Sequence, residues 1–289
     1  MSLNASHRVK SSKKLGIIAG IGSLPHAVAT EAKNAGYEVI GIAFQLGDDF
    51  SESPASNSLE SVADEFHKIS IGKFGSLISL LKKLSVREAV LAGKVPKNLL
   101  YKNKKNIIPD LKTLKMLFSL KNRSDDTIMT LVVKELEKNG ITIHKTTKFT
   151  KNLLAPEGVL TTHKPTKSDL EDLEFGWEIA RNMGHLDIGQ TVVVKNKAVM
   201  AVEAIEGTDE AIKRGGLLAN KGAVIIKVSK PHQDMRFDVP AVGLETLNSM
   251  KRADAKMLAI EAGKCIIVDK EKFINEANKA GIAIVGIKK

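Results

Sequence analysis

The sequence contains a single cysteine and few aromatic residues. With Cys265 alone, no intramolecular disulfide can form, and the composition fits a reducing compartment. Because aromatic residues make up only 4% of the chain, we expect its core to consist of Ile, Val, Leu and Ala. Cys265 lies in the apolar run 265–268 and is expected to be a small core residue.

Long apolar runs are also missing. A membrane-spanning helix needs about 20 apolar residues, and no segment approaches that length. Residues 1–14 are polar and basic, and they lack the apolar stretch of a signal peptide. We therefore expect a cytoplasmic protein that is not integral to a membrane.

Several catalytic signatures are absent from the sequence. The seven histidines form no H-x-x-x-H or H-x-H pair, which leaves zinc sites without support. There is no G-x-S-x-G elbow of a serine hydrolase and no Walker loop. The D-x-H and G-N-H-D/E pattern of binuclear metallophosphoesterases is missing too.

The chain is strongly basic, with 44 Lys and Arg against 33 Asp and Glu, a net charge of +11 and a pI of about 9.5. Such a charge favours polyanionic partners: nucleic acid, a nucleotide substrate or an anionic membrane surface. Cations are concentrated in one stretch, at Lys94, Lys97, Lys102, Lys104, Lys105, Lys112, Lys115, Lys121 and Arg123. This stretch is either a solvated face or a site for an anionic partner. Nucleic acid is disfavoured because aromatic interleaving and recognition motifs are lacking, and salt-dependent filter binding would test it.

Strands and helices alternate through both halves of the chain, which predicts an α/β fold with two domains. The run KLGIIA predicts a buried parallel strand, Pro25 the start of a helix, and EVIGIAF a second strand. We predict a basic tail over 1–13, a Rossmann-like nucleotide-binding domain over 14–145, a linker over 146–166 and a second α/β domain over 167–289.

Two glycine motifs follow predicted strands of the first domain. The loop Gly20-Ile21-Gly22-Ser23-Leu24 precedes a helix whose amides could hold a phosphate, although a structural turn is the alternative. The alternative of a Rossmann-type nucleotide-sugar oxidoreductase is disfavoured because Pro25 replaces the third glycine and no acid ends the second strand at Gln45. An NADH absorbance assay would test that alternative. Gly93 and Lys94 end a later strand, where Lys94 is either a phosphate ligand or an exposed surface lysine.

The second half of the chain is rich in acids that could bind Mg²⁺ together with substrate phosphates. They are Asp187, Glu203, Glu206, Asp209 and Asp238. Taken singly, each could equally be a helix cap or a surface charge. Polar and cationic residues precede Asp238 at Lys230, His232, Gln233 and Arg236, a grouping that fits phosphate chemistry.

Six blocks of sequence, in their order along the chain, resemble the LpxI class of UDP-2,3-diacylglucosamine pyrophosphatases. They are KLGIIAGIGSLP, IGKFGSLISLLKK, VLAGKV, SDDTIMTLVVKELEKNGI, DIGQTVVVKNKAVMAVEAIEGTDEAI and FDVPAVGLETL. The resemblance runs from about Leu15 to Ile287 and is most specific in the EAIEGTD and DIGQ blocks.

The resemblance implies hydrolysis of UDP-2,3-diacylglucosamine to UMP and 2,3-diacylglucosamine 1-phosphate (lipid X), a step of lipid A biosynthesis. It implies a divalent metal, Mg²⁺ or Mn²⁺, and two domains that clasp the substrate, with the acyl chains in the second. Asp238 matches an essential aspartate and is predicted as metal ligand or general base. Glu206 and Asp209 are predicted as further metal ligands. Predicted contacts to substrate or nucleotide are Gly20, Gly22, Ser23, Leu24, Gly93, Lys94, Asp125, Gln190, Gly207, Thr208, Lys230, Gln233 and Arg236.

The lipid substrate further implies a peripheral location on the cytoplasmic face of the inner membrane. The cations of 94–123 are predicted to attract that anionic surface. The sequence does not indicate an oligomeric state.

Overall fold

The computed structural model describes residues 13–45, 59–94, 109–118 and 125–289, with the backbone alone at 117, 118, 125 and 126. The chain divides into two compact units between His144 and Lys145. Within these described ranges, no helix is long and apolar enough to cross a membrane.

The first unit contains one parallel five-stranded sheet. Its strands are β1 (Lys13–Ala19), β2 (Tyr37–Gln45), β3 (Glu65–Ser70), β4 (Glu88–Ala92) and β5 (Thr142–His144), in the order β3-β2-β1-β4-β5. Its helices are α1 (Leu24–Asn34), α2 (Phe74–Lys83), α3 (Leu111–Phe118) and α4 (Asp125–Lys138). The strand order reverses between β1 and β4, so the loops after these two strands meet where open α/β sheets bind ligands.

Aliphatic side chains build the core of this unit, as the low aromatic content predicts. Leu15 and Ile17 of β1 are fully buried, as are Val39 and Ile40 of β2. Strands of a parallel sheet are covered on both faces and therefore have continuous apolar sequences, as β1 and β2 do. The predicted Rossmann-like domain is confirmed.

The second unit is built on a mixed six-stranded sheet. Its strands are β6 (Gly158–Val159), β7 (Thr191–Lys195), β8 (Ala198–Val202), β9 (Val224–Lys227), β11 (Met257–Glu261) and β13 (Ala283–Ile287), in the order β6-β13-β11-β9-β7-β8. Strands β9, β11 and β13 are parallel to one another, whereas β7 runs antiparallel to β8 and β9. A separate parallel pair joins β10 (Ala241–Val242) and β12 (Ile266–Ile267). The helices are α5 (Lys167–His185), α6 (Thr208–Ala219), α7 (Leu244–Arg252) and α8 (Lys270–Lys279).

The segment 146–166, predicted as a linker, is part of the second unit. It contains two short 3₁₀ helices, Thr146–Lys148 and Lys151–Leu153, and its strand β6 pairs antiparallel with β13. The Leu160 amide also donates to the Ile284 carbonyl at 2.8 Å. Polar composition and two prolines suggested a linker, but backbone hydrogen bonds to the sheet hold a segment in place whatever its side chains.

Cys265 is fully buried, as expected for a small core residue. Burial raises the pKa of its thiol to about 12. Because the thiolate is the reactive form, this residue is inert as a nucleophile at neutral pH.

Candidate functional site

The two glycine motifs of the first unit meet at the switch point of the sheet. The Ile21 amide donates to the Lys94 carbonyl at 2.7 Å, and the Lys94 amide donates to the Ile21 carbonyl at 2.8 Å. The Gly20 amide donates to the Ala92 carbonyl at 2.8 Å. The loop after β1 and the loop after β4, which the sequence suggested independently, are thus one structural element.

Close backbone contact explains two of the glycines in this element. A Cβ on Gly20 would lie 2.5 Å from the Lys94 carbonyl oxygen, and one on Gly93 would lie 2.8 Å from that of Ile21. Gly22 differs, because it has a φ of +108° with open space where a side chain would point. Packing therefore accounts for Gly20 and Gly93 without a ligand. Gly22 instead has a backbone conformation that glycine adopts without steric strain.

The N-terminus of α1 is open to an anion. Ser23 is its N-cap residue but makes no side-chain capping hydrogen bond, and Leu24 begins a first turn without acidic residues. Unsatisfied amides and the helix dipole favour a negative group at such a position. Lys94 is exposed on the adjoining loop and adds a positive charge. This end of the first sheet can therefore accommodate phosphate.

Gly20→Ala should lower the free energy of unfolding of the chain by about 1–3 kcal/mol, because the added methyl group collides with backbone. Ser23→Ala is the matched control, since it removes a hydroxyl that makes no capping bond and should cost much less. Thermal unfolding of both variants measures the difference. Equal stability of the two variants would contradict the packing explanation of Gly20.

In the second unit, buried polar residues gather at one edge of the sheet. The first residue of β7 pairs with the last of β9, and β9 and β11 end side by side, so these strand ends share an edge. Six of the twelve buried polar residues in the described part of the chain lie there: Thr191, Glu203, Thr208, Lys227, Ser229 and Glu261. Polar groups in a core cost free energy unless they are hydrogen-bonded, so their contacts indicate what this edge is built to hold.

Lys227 and Glu203 both contact Thr208, the first residue of α6. The Lys227 ammonium donates to Thr208 Oγ1 at 2.7 Å, and that hydroxyl donates to Glu203 Oε1 at 3.0 Å. Burial alone would raise the pKa of Glu203, but the Lys227 charge and nearby hydrogen bonds hold it below its ordinary value.

Three predicted substrate contacts come together at the same edge. The Lys230 amide donates to Gln233 Oε1 at 2.9 Å, and Gln233 Nε2 donates to Gln190 Oε1 at 3.3 Å. The Lys230 ammonium also pairs with Asp187 at 2.6 Å. The loop after β9 and the loop before β7 thus present amide and ammonium groups together.

Asp238 and Arg236 lie on the same loop after β9. Arg236 forms a two-point ion pair with Asp234, with Nε and Nη2 donating at 3.0 and 2.7 Å. The Asp238 amide donates to the Asp234 carbonyl at 2.9 Å. The Asp238 side chain is half-buried, and its carboxylate has no hydrogen-bond or ion-pair partner among the described residues.

The three predicted metal ligands are not assembled into one group. Glu206 Oε1 pairs with Arg214 at 2.5 Å, and Gly207, with a φ of +87°, separates it from α6. Asp209 lies in the first turn of α6 and has one buried oxygen, Oδ1, without a partner. Within the ranges that the structure describes, no three His, Cys, Asp or Glu residues are grouped to hold a metal ion.

The side chain of one predicted substrate contact and most cations of the basic stretch lie outside the described part of the chain. Asp125 begins α4, but its side chain is outside the described part. In the basic stretch, Lys94, Lys112 and Lys115 are described, and Lys112 pairs with Glu135 at 2.9 Å. The other cations, Lys97, Lys102, Lys104, Lys105, Lys121 and Arg123, lie outside the described residues.

Sequence reasoning missed Glu261, which ends β11 and is 1% exposed. Its Oε2 accepts from the Ser229 amide at 2.8 Å and hydroxyl at 2.7 Å, and its Oε1 pairs with Lys264 at 2.7 Å. Burial opposes ionisation, yet Lys264 and Ser229 hold the pKa of Glu261 below its ordinary value. The available signal was an acid that closes an apolar run, Met257–Glu261.

The depressed pKa of Glu261 makes stability depend on pH. Its contribution is complete above the ordinary value of 4.5 and is lost as the pH falls through the lower folded-state pKa. Glu261→Gln should therefore lower the unfolding temperature at about pH 6 and flatten its fall towards about pH 3. Glu178→Gln, at an exposed position on α5, should keep the wild-type profile. An unchanged profile in Glu261→Gln would contradict the assignment.

Comparison with known proteins gives matches along nearly the whole chain. The LpxI N-terminal domain matches residues 14–153, and the LpxI C-terminal domain matches residues 156–285. The UDP-2,3-diacylglucosamine pyrophosphatase LpxI of Caulobacter vibrioides is 30% identical over 288 residues, covering 95% of this chain and 98% of that protein. A solved structure titled AtPrR2 in apo form covers 96% of this chain and 81% of its own at 9% identity, but its TM-score of 0.30 supports no conclusion. The two domain matches and the full-length relative show that the chain belongs to the LpxI family.

Proposed function

We propose that this chain hydrolyses the pyrophosphate bond of UDP-2,3-diacylglucosamine, releasing UMP and 2,3-diacylglucosamine 1-phosphate, in lipid A biosynthesis. The observation that carries the proposal is the match to a UDP-2,3-diacylglucosamine pyrophosphatase over 95% of the chain. Because the match covers both units, the comparison supports transfer of the whole activity and not of one domain alone.

The first unit supplies the nucleotide site in this proposal. In it, Gly20, Gly22, Ser23 and Leu24 would set the N-terminus of α1 beside the substrate phosphates, and the exposed ammonium of Lys94 would add charge next to Gly93. Backbone amides and a lysine bind phosphate without reading a base, so they fit a nucleoside diphosphate group.

The second unit supplies the groups that act on the pyrophosphate. Asp238 has a free carboxylate, which suits either the activation of the attacking water or metal binding. Gln190, Lys230, Gln233 and Arg236 are placed on neighbouring loops, where they would orient the phosphate oxygens. Gly207 and Thr208 open α6 and would contact the same group.

A divalent metal, Mg²⁺ or Mn²⁺, is part of the proposal. Mg²⁺ usually binds one or two carboxylates together with substrate phosphates, so a preformed group of three ligands is not required. The unpartnered Oδ1 of Asp209 and the free carboxylate of Asp238 fit that role, whereas Glu206 is already paired with Arg214. When bound, the ion would neutralise phosphate charge and polarise the phosphorus–oxygen bond.

Phosphorus NMR of the products tests the activity. Purified chain, UDP-2,3-diacylglucosamine and Mg²⁺ should convert the pyrophosphate resonances into two phosphomonoester resonances, those of UMP and the sugar 1-phosphate. UDP-N-acetylglucosamine, which shares the nucleotide but has no long acyl chains, serves as the control substrate. Release of UDP, or no reaction of the lipid substrate, would overturn the proposal.

We further propose that the chain binds the cytoplasmic face of the inner membrane through the cations of 94–123, because its substrate carries two acyl chains. Each nearby cation contributes about 1 kcal/mol of attraction to an anionic surface.

The triple change of Lys102, Lys104 and Lys105 to Glu should weaken pelleting with anionic vesicles at low salt. The matched control changes Lys164, Lys167 and Lys272, all exposed in the second unit, to Glu. Equal pelleting of both triple variants would exclude this stretch.

A further inference from the structure

Two buried side chains of opposite charge, at the edge of the second sheet, have no role in the function proposed so far. Lys227 ends β9 and is 3% exposed, and Glu203 follows β8 and is 8% exposed. Removing an ammonium and a carboxylate from water is costly, and well-packed apolar residues would stabilise such a position equally well or better. Stability therefore does not explain why this pair is present.

The contacts of the pair converge on one hydroxyl group. Thr208 Oγ1 accepts from the Lys227 ammonium at 2.7 Å and donates to Glu203 Oε1 at 3.0 Å. With a cationic donor on one side and a carboxylate acceptor on the other, the hydroxyl is held in one orientation. The preceding N-cap is Gly207, which has no side chain to hold the start of α6. Lys227 and Glu203 thus hold the first residue of α6 from two sides.

The turn held in this way carries several of the residues proposed to meet the substrate. Gly207 and Thr208 are proposed substrate contacts, and Asp209 has a buried carboxylate oxygen without a partner. A displacement of Thr208 would displace its neighbours, because they belong to the same helical turn. Support of this kind is typical of residues that orient catalytic groups without touching the substrate.

We propose that Lys227 and Glu203 are positioning residues, which fix Thr208 and the turn 206–209 in the orientation that meets the substrate's pyrophosphate. This inference rests on the proposed pyrophosphatase function and adds two residues to it. Neither side chain contacts the substrate, because both lie beneath the surface. Their effect on the reaction passes through Thr208.

The decisive variant replaces both charges at once. Lys227→Met alone leaves the Glu203 carboxylate buried without its counter-charge and should lower the unfolding temperature. The double variant Lys227→Met/Glu203→Gln removes both charges with little change of volume, and its unfolding temperature should return close to that of the wild type. Its kcat for UDP-2,3-diacylglucosamine should nevertheless fall by roughly 10- to 100-fold, the usual effect of losing a supporting contact.

A matched control exists at the opposite edge of the same sheet. Asp169 is 4% exposed and pairs with Lys256, which precedes β11, so this pair is far from the strand ends that carry the candidate site. Asp169→Asn/Lys256→Met should leave kcat unchanged.

Inorganic pyrophosphate with Mg²⁺, titrated by calorimetry, provides a readout that does not depend on hydrolysis. The Lys227/Glu203 double variant should bind this probe more weakly than the wild type and the control.

The outcomes separate this inference from the proposed function. A well-folded Lys227/Glu203 double variant with wild-type kcat and wild-type pyrophosphate affinity would show that the pair is merely structural. Recovery of kcat together with stability would show the same. If the wild type does not hydrolyse the lipid substrate, the proposed function fails, and the pyrophosphate titration alone decides. Absence of pyrophosphate binding by the wild type would then overturn the positioning role as well.

Discussion

Asp238→Asn should lower turnover of UDP-2,3-diacylglucosamine by at least about 100-fold, the scale for loss of a general base or an electrostatic group. The carboxylate has no partner within the described structure, so its exchange for an amide removes no contact that holds the fold. The unfolding temperature should therefore stay at the wild-type value. Steady-state kinetics and thermal unfolding of the same preparation test both statements.

Asp254→Asn is the matched control for this substitution. Asp254 is exposed beyond the end of α7 and has a φ of +46°, a conformation that asparagine tolerates well. The control should keep both turnover and stability. Near-wild-type turnover of Asp238→Asn would refute a catalytic role for Asp238, and loss of folding in that variant would refute the claim that its carboxylate is structurally free.

Exhaustive chelation with EDTA should abolish activity, and added Mg²⁺ or Mn²⁺ should restore it. The pyrophosphate group carries negative charge that must be neutralised as the bond breaks, and Asp209 and Asp238 offer oxygen ligands for the ion. Activity after dialysis and graded readdition of each ion measures the dependence.

Asp209→Asn identifies the ligand in the same experiment. For this variant, the curve of activity against added Mg²⁺ should shift to higher Mg²⁺ concentration, because an amide replaces the charged carboxylate whose Oδ1 has no partner. Glu210→Gln is the comparison, since Glu210 is exposed on the same helix and should leave the curve in place. Full activity of the metal-free wild type would exclude metal dependence, and identical curves for the two variants would exclude Asp209 as a ligand.

The sequence predicted the first sheet better than the second. Strands β1 and β2 are continuous apolar runs separated by one helix, so their pattern is local and easily recognised. Strand β11 is fully buried near the middle of the second sheet, but it is not evident from the sequence, because five residues flanked by charges carry little pattern of their own. Strand β6 consists of only two residues, both exposed, and is defined by its pairing with β13.

The candidate site was foreseen as residues but not as an arrangement. The sequence pointed to Gln190, Lys230 and Gln233, and the structure brings them into one hydrogen-bonded group. It also pointed to Glu206 as a metal ligand, which stays a prediction, and only the structure shows that Arg214 of α6 pairs with that carboxylate. Lys227 and Glu261 were not singled out, because a charged residue next to an apolar strand does not reveal whether its partner lies across the sheet.

The sequence by itself determined the α/β class, the glycine loop before α1 and the resemblance to one enzyme family, since these depend on short-range patterns of residues. The tertiary structure decided that the loop after β4 closes against Gly20, that 146–166 belongs to the second unit, and that Lys227 and Glu203 hold Thr208. These features depend on hydrogen bonds between segments far apart in the chain. Only the paired strand ends bring such segments together, so local sequence could not predict them.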